Sequence, residues 1–148
     1  MNRLFAAAPL LLALPAATSS LPIQPGKWQT VVTVLDVQMS GAPAGVRQGV
    51  RNQPPHVATA CVTAQQAADG PRSVLQASNG KCQYTSFNAS GGRLNAVMQC
   101  AFASGKMTVA SSGTYSATTL DLNGSSTVSG RMQMTMKTHT AGRRLGGC

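Results

Sequence analysis

The chain has no glutamate and three aspartates, Asp36, Asp69 and Asp121, in 148 residues. Histidine is nearly as scarce, at His56 and His139. A paired-carboxylate mechanism would need two of three scattered aspartates to meet. A serine hydrolase would have to recruit one of two histidines, and no G-x-S-x-G turn is present. There is no phosphate loop and no dinucleotide fingerprint. No C-x-x-C pair occurs, so the spacing of a structural zinc site is missing. The sequence therefore reads as non-enzymatic, and no residue is assigned a catalytic, cofactor-binding or metal-binding role.

Aromatic residues are also few. Beyond the first twenty positions they are Trp28, Tyr84, Phe87, Phe102 and Tyr115. Binders of single-stranded nucleic acid interleave aromatics with cations, so that function is disfavoured. Charge of one sign, by contrast, is plentiful: 12 Lys+Arg oppose 3 Asp+Glu, a formal charge of +9. The excess favours anionic partners such as lipopolysaccharide, anionic headgroups or acidic glycans, or serves solubility alone. The cations are scattered along the chain, with Arg143-Arg144 the one adjacent pair.

The N-terminus, "MNRLFAAAPLLLALPAATSS", has a positive start at Arg3, an apolar run from Leu4 to Leu14 and small residues from Ala16. These are the three parts of a secretory signal peptide over residues 1–19, with cleavage near Ser20. Loss of Arg3 lowers the formal charge from +9 to +8. Residues 20–148 then form one domain, without a segment apolar enough to span a bilayer. Its four cysteines, Cys61, Cys82, Cys100 and Cys148, are an even number in an exported chain and point to two disulfides. The expected address is the periplasm.

From Trp28, "WQTVVTVLDV" is rich in β-branched residues and reads as a first strand. The stretch from Ser40 to Pro55 holds three glycines and three prolines and reads as a flexible loop. Thr63 is a candidate N-cap for a short helix ending near Gly70, and Pro71 suits the start of a further turn. This is the one helical signal outside the leader. "CQYTSFNA-SGG-RLNAVMQC" reads as a hairpin. A two-residue Gly91-Gly92 turn sets Ala89 opposite Leu94, Phe87 opposite Ala96 and Thr85 opposite Met98, which makes one face apolar. A three-residue loop would oppose Cys82 to Cys100 but place Phe87 against Asn95. The apolar pattern sets register, so the Gly-Gly turn is preferred. Cys82 and Cys100 then fall on opposite faces, and the expected bridges are Cys61–Cys82 and Cys100–Cys148.

Three more runs, "KMTVASSGTYS", "TTLDLNGSSTV" and "RMQMTMKTHT", continue as strands, with Gly105, Gly124 and Gly130 at turns or bulges. The fold class is mainly β: a twisted antiparallel sheet or partly closed barrel. It should have about six to seven strands, one short helical segment and disulfide staples. Met132, Met134 and Met136 alternate with polar residues, the period of a half-buried strand. Residues i and i+2 of a strand lie about 6.8 Å apart, too far for three thioethers of one straight strand to converge easily on Cu(I), so a second strand, with Met98 or Met107, would have to contribute. His139 has the opposite parity. The stripe reads as core rather than as a metal site.

"PGKWQTVV", "CVTAQQAADGPRSVL", "CQYTSFNASGGRLNAVMQC", "GTYSATTLDL" and the terminal "GRRLGGC" share order and spacing with one family. The chain resembles the bacterial domain of unknown function family 3617 over nearly all of its length beyond the leader. The resemblance implies a small exported protein of a Gram-negative envelope and lends no activity. Many members have a Pro-Glu pair where this chain has Ala64-Gln65, so any role of that carboxylate does not carry over. Two functions remain: a binding or accessory module for an apolar, lipid-like ligand, or an envelope-associated protein that binds anionic surfaces through its charge.

Overall fold

The β-branched and alternating runs become strands in the computed structural model, which describes residues 22–75, 82–103, 105–130 and 133–148. The strands are β1 (Gly26–Met39), β2 (His56–Val62), β3 (Cys82–Ser90), β4 (Arg93–Phe102), β5 (Gly105–Tyr115), β6 (Thr119–Gly130) and β7 (Met134–Gly146). Helices α1 (Ala44–Arg51), α2 (Ala64–Ala68) and α3 (Arg72–Leu75) lie between β1 and β3 in the chain. The leader expected over residues 1–19, and its cleavage point, lie outside the described residues, as does Met132.

All seven strands form one antiparallel sheet in the order β2-β1-β7-β6-β5-β4-β3. From β3 to β7 it is a plain meander; β7 then pairs with β1, and β1 with β2. The edges β2 and β3 do not join, so of the two architectures anticipated the open sheet is the one found. Side chains of one parity form an inner face, where Trp28, Leu94, Tyr115, Leu120 and Leu122 are almost wholly buried with Val62 and Ala67. Burial of each large side chain of this kind supplies about 1.5–3 kcal/mol.

Two glycines on the inner face allow the strands to close up. A Cβ on Gly113 would stand 2.1 Å from the Asp121 carbonyl oxygen, and one on Gly124 2.5 Å from the Thr138 hydroxyl. Gly124 is therefore neither turn nor bulge: the ladder runs unbroken through it to Ser111 and Thr138.

Two further expectations need correction. The Ser40 to Pro55 segment is not loop throughout, because α1 occupies its middle. That helix buries no residue and has no side-chain cap; Arg51 ties it to β1 through a 2.6 Å ion pair with Asp36. Among the described residues there are thus three short helices, α2 and α3 making up the helical segment expected after Thr63.

The hairpin keeps the preferred turn, with Gly91 and Gly92 at φ +56° and +75°, and sets Ala89 opposite Leu94 and Phe87 opposite Ala96. The register then slips by one residue at Thr85, a bulge whose hydroxyl donates to the Val97 carbonyl at 3.2 Å. Tyr84, not Thr85, faces Met98, and Cys82 comes opposite Cys100 with Cα atoms 4.0 Å apart. The bridges are Cys82–Cys100 and Cys61–Cys148, not the expected Cys61–Cys82 and Cys100–Cys148. A bulge reverses the parity of everything beyond it, which is why the apolar register and the cysteine pair coexist.

Candidate functional site

The inner face curls around a cavity of about 740 Å³. That volume lies within the ~300–1,000 Å³ typical of small-molecule sites. Trp28, Thr30 and Val32 of β1 and Ala58 and Ala60 of β2 form one wall. Tyr84 of β3, Met98 of β4 and Val109 of β5 form the other. Val74 and Leu75 of α3 roof it, and His56, Gln66, Asp69 and Arg72 supply its polar groups. Apolar walls with a few convergent polar groups are the usual make-up of a ligand pocket.

The roof is held by local chemistry legible in the sequence. The Thr63 hydroxyl accepts from the Gln66 amide at 3.2 Å, while the Gln66 side chain accepts from the Thr63 amide at 2.9 Å. This reciprocal cap starts α2, and Ala67 anchors its inward side. Gly70, at φ +71°, ends the helix, and buried Pro71 leads into α3. The helical crossing therefore bridges the gap between the two sheet edges.

Arg72 projects its guanidinium over two rings, 5.0 Å from the centroid of Tyr84 and 5.6 Å from that of Phe87. The rings meet edge to face at 5.2 Å. Burial raises the Tyr84 phenol above its ordinary pKa, and the Arg72 charge offsets part of that rise. Neither Arg72 nor these rings carried a functional signal in the sequence; only the fold brings α3 against β3.

The three aspartates do not meet. Asp36 pairs with Arg51, Asp69 lies at the cavity, and Asp121 bonds His139 on the outer face at 3.2 Å. No serine or threonine hydroxyl bonds to His139 among the described residues, and none of them form a cluster of three or more metal-ligating His, Cys, Asp or Glu. A smaller hollow of about 430 Å³ on the outer face is lined by strand residues, Asn95, Ser112, Asn123 and Lys137 among them.

Met134 and Met136 do share the inner face, half-buried, between β1 and β6. Met134 lies beside Met39 and Val128, and Met136 beside Val37 and the buried Ser126. Met134→Asp should cost about 3 kcal/mol by placing a carboxylate among apolar neighbours. Thr135→Asp, on the outer parity, should cost less than about 1 kcal/mol, as should Met134→Leu. Thermal melts read the ranking. Tight Cu(I) uptake by the parent that vanished in Met134→Leu would instead establish a thioether site.

Neither the curated proteins nor the solved structures offer a match to this chain. The family model described as protein of unknown function DUF3617 matches residues 23–148, which span every strand and helix of the fold. The chain belongs to the DUF3617 family.

Proposed function

We propose that the chain is an exported, non-catalytic binding module whose inner cavity receives an apolar, lipid-like ligand. The observation that carries this reading is the cavity of about 740 Å³ between the curled sheet and α2–α3. Its walls are chiefly apolar, and it holds no pair of carboxylates. The leader-like N-terminus and two disulfides support a periplasmic address. Intact mass of protein recovered from the periplasm should begin near Ser20; a full-length mass there would remove the export part of the reading.

Trp28 is the one tryptophan and lines the cavity, so its fluorescence reports occupancy directly. Titration with a brominated long-chain alcohol should quench it saturably. Val109→Phe, which places a ring in the cavity, should weaken that quenching about tenfold, equivalent to about 1.4 kcal/mol. Absence of saturable quenching in the parent would end the proposal.

The charge-based reading gains one specific support. Lys27, Arg93, Lys106, Lys137 and Arg143 are scattered in sequence, yet strand parity puts all five on the outer face, exposed. Asp121, on the same face, is engaged by His139. Such a surface attracts anionic membranes through a field that salt screens. Co-sedimentation with anionic vesicles should be clear at low ionic strength and lost at high. Equal binding at both, or none at low salt, would count decisively against it.

A further inference from the structure

The cavity has an apolar interior but is not electrically blank. Arg72 lines it, and the two ion pairs among the described residues, Arg51–Asp36 and His139–Asp121, leave that guanidinium without a carboxylate. Asp69 lines the same cavity three residues earlier, yet it lies beyond ion-pair distance of Arg72. The guanidinium instead rests on the Tyr84 and Phe87 rings, 5.0 and 5.6 Å from their centroids. A cation held on aromatic faces keeps its edge N–H groups free and loses little freedom when an anion arrives. Guanidinium geometry also suits a two-oxygen head, which can accept two parallel hydrogen bonds.

Around this group the walls are hydrocarbon: Val32, Met98 and Val109 below, Val74 and Leu75 above. A cavity of about 740 Å³ with one aligned cation at its edge fits a long apolar chain ending in an anion. We infer that the ligand is a carboxylate-headed single-chain amphiphile, a free long-chain fatty acid in chemical class, with its chain in the cavity and its head on Arg72. The inference rests on the binding reading above and adds the head group and the residue that selects it. The opposite polarity would use Asp69 and favour a cationic head.

Three ligands of equal chain length separate these possibilities: a brominated fatty acid, the corresponding alcohol and the corresponding amine, each titrated against Trp28 fluorescence at pH 8. The acid should bind about tenfold more tightly than the alcohol, the scale of one charge-assisted bond. Arg72→Gln should erase that preference, so that acid and alcohol bind the variant equally, and Arg72→Lys should restore part of it. Equal affinity for acid and alcohol, or tighter binding of the amine, would overturn the head-group assignment and leave the cavity reading standing. Failure of all three ligands would overturn both. If Arg72→Gln does not fold, the ranking of the three heads on the parent decides the matter alone.

Discussion

Peptide mapping without reductant should recover Cys61 joined to Cys148 and Cys82 joined to Cys100, and Cys61→Ala/Cys148→Ala should lose about 4–5 kcal/mol. The bridge spans 87 residues, so its absence releases α2, α3 and all of β3 to β7 from a closed loop. Chain-entropy estimates grow with the logarithm of that length. Cys61 and Cys148 are both exposed, so alanine leaves no void and the loss reads the cross-link alone. Cys82–Cys100 encloses 18 residues and should be worth about 3 kcal/mol by the same estimate, to which lost packing at buried Cys100 is added. Urea unfolding of the variants measures both. Recovery of a Cys61–Cys82 peptide would refute the pairing and, with it, the bulge at Thr85 that brings Cys82 to Cys100.

Gly113→Ala should be at least as damaging, with a loss of about 4 kcal/mol or failure to accumulate folded protein. The added methyl would meet the Asp121 carbonyl oxygen at 2.1 Å and the Leu122 Cα at 2.9 Å. Those are backbone atoms of the neighbouring strand, so no rotamer change relieves them. β5 and β6 would have to part beside Tyr115, Leu120 and Leu122, all buried in the core. Gly45→Ala and Gly49→Ala in α1 are the controls. Nothing stands within 4 Å of either new methyl, and alanine favours a helix over glycine by about 0.8–1 kcal/mol. A Gly113→Ala melt equal to the parent's would show that the two strands do not approach this closely.

Strands whose sides differ were legible from sequence, because period-two alternation records a buried face. β4 and β6 announce themselves in that way through Leu94, Ala96, Leu120 and Leu122, and β1 through its run of β-branched residues. β2 did not, since all but Val62 of its residues are exposed and alanine at Ala58 and Ala60 carries little hydrophobic signal. The last turns of β7, from Ala141 to Gly146, were hidden by glycine and the paired arginines for a similar reason. α1 lacks both a cap and a buried stripe, the two signals by which a short helix is found. The disulfide pairing turns on a single residue: glycine is the type that signals a bulge, and Thr85 is an ordinary strand residue. As for the site, Thr63, Gln66 and Gly70 foretell the roof, and alternation foretells one wall. The meeting of Arg72 with Tyr84 and Phe87 depends on which edge the helical crossing reaches, and a one-dimensional pattern does not encode that.

The strand order also fixes a timetable. β1 finds its long partner, from Lys27 to Met39, only in β7, the last in chain order of the strands described. While the chain grows, β1 can pair with β2 alone, and that contact covers Gly26 to Val32. The remaining half, from Thr33 to Met39, must wait with an open hydrogen-bonding edge and the apolar side chains of Val34, Leu35 and Val37 unsheltered. Late closure of so distant a pair is slow, and an unpaired apolar strand invites the wrong neighbour. A chain interrupted before Met134 would therefore carry β3 to β6 beside a sticky, half-paired β1, so that closure of the whole sheet waits on β7.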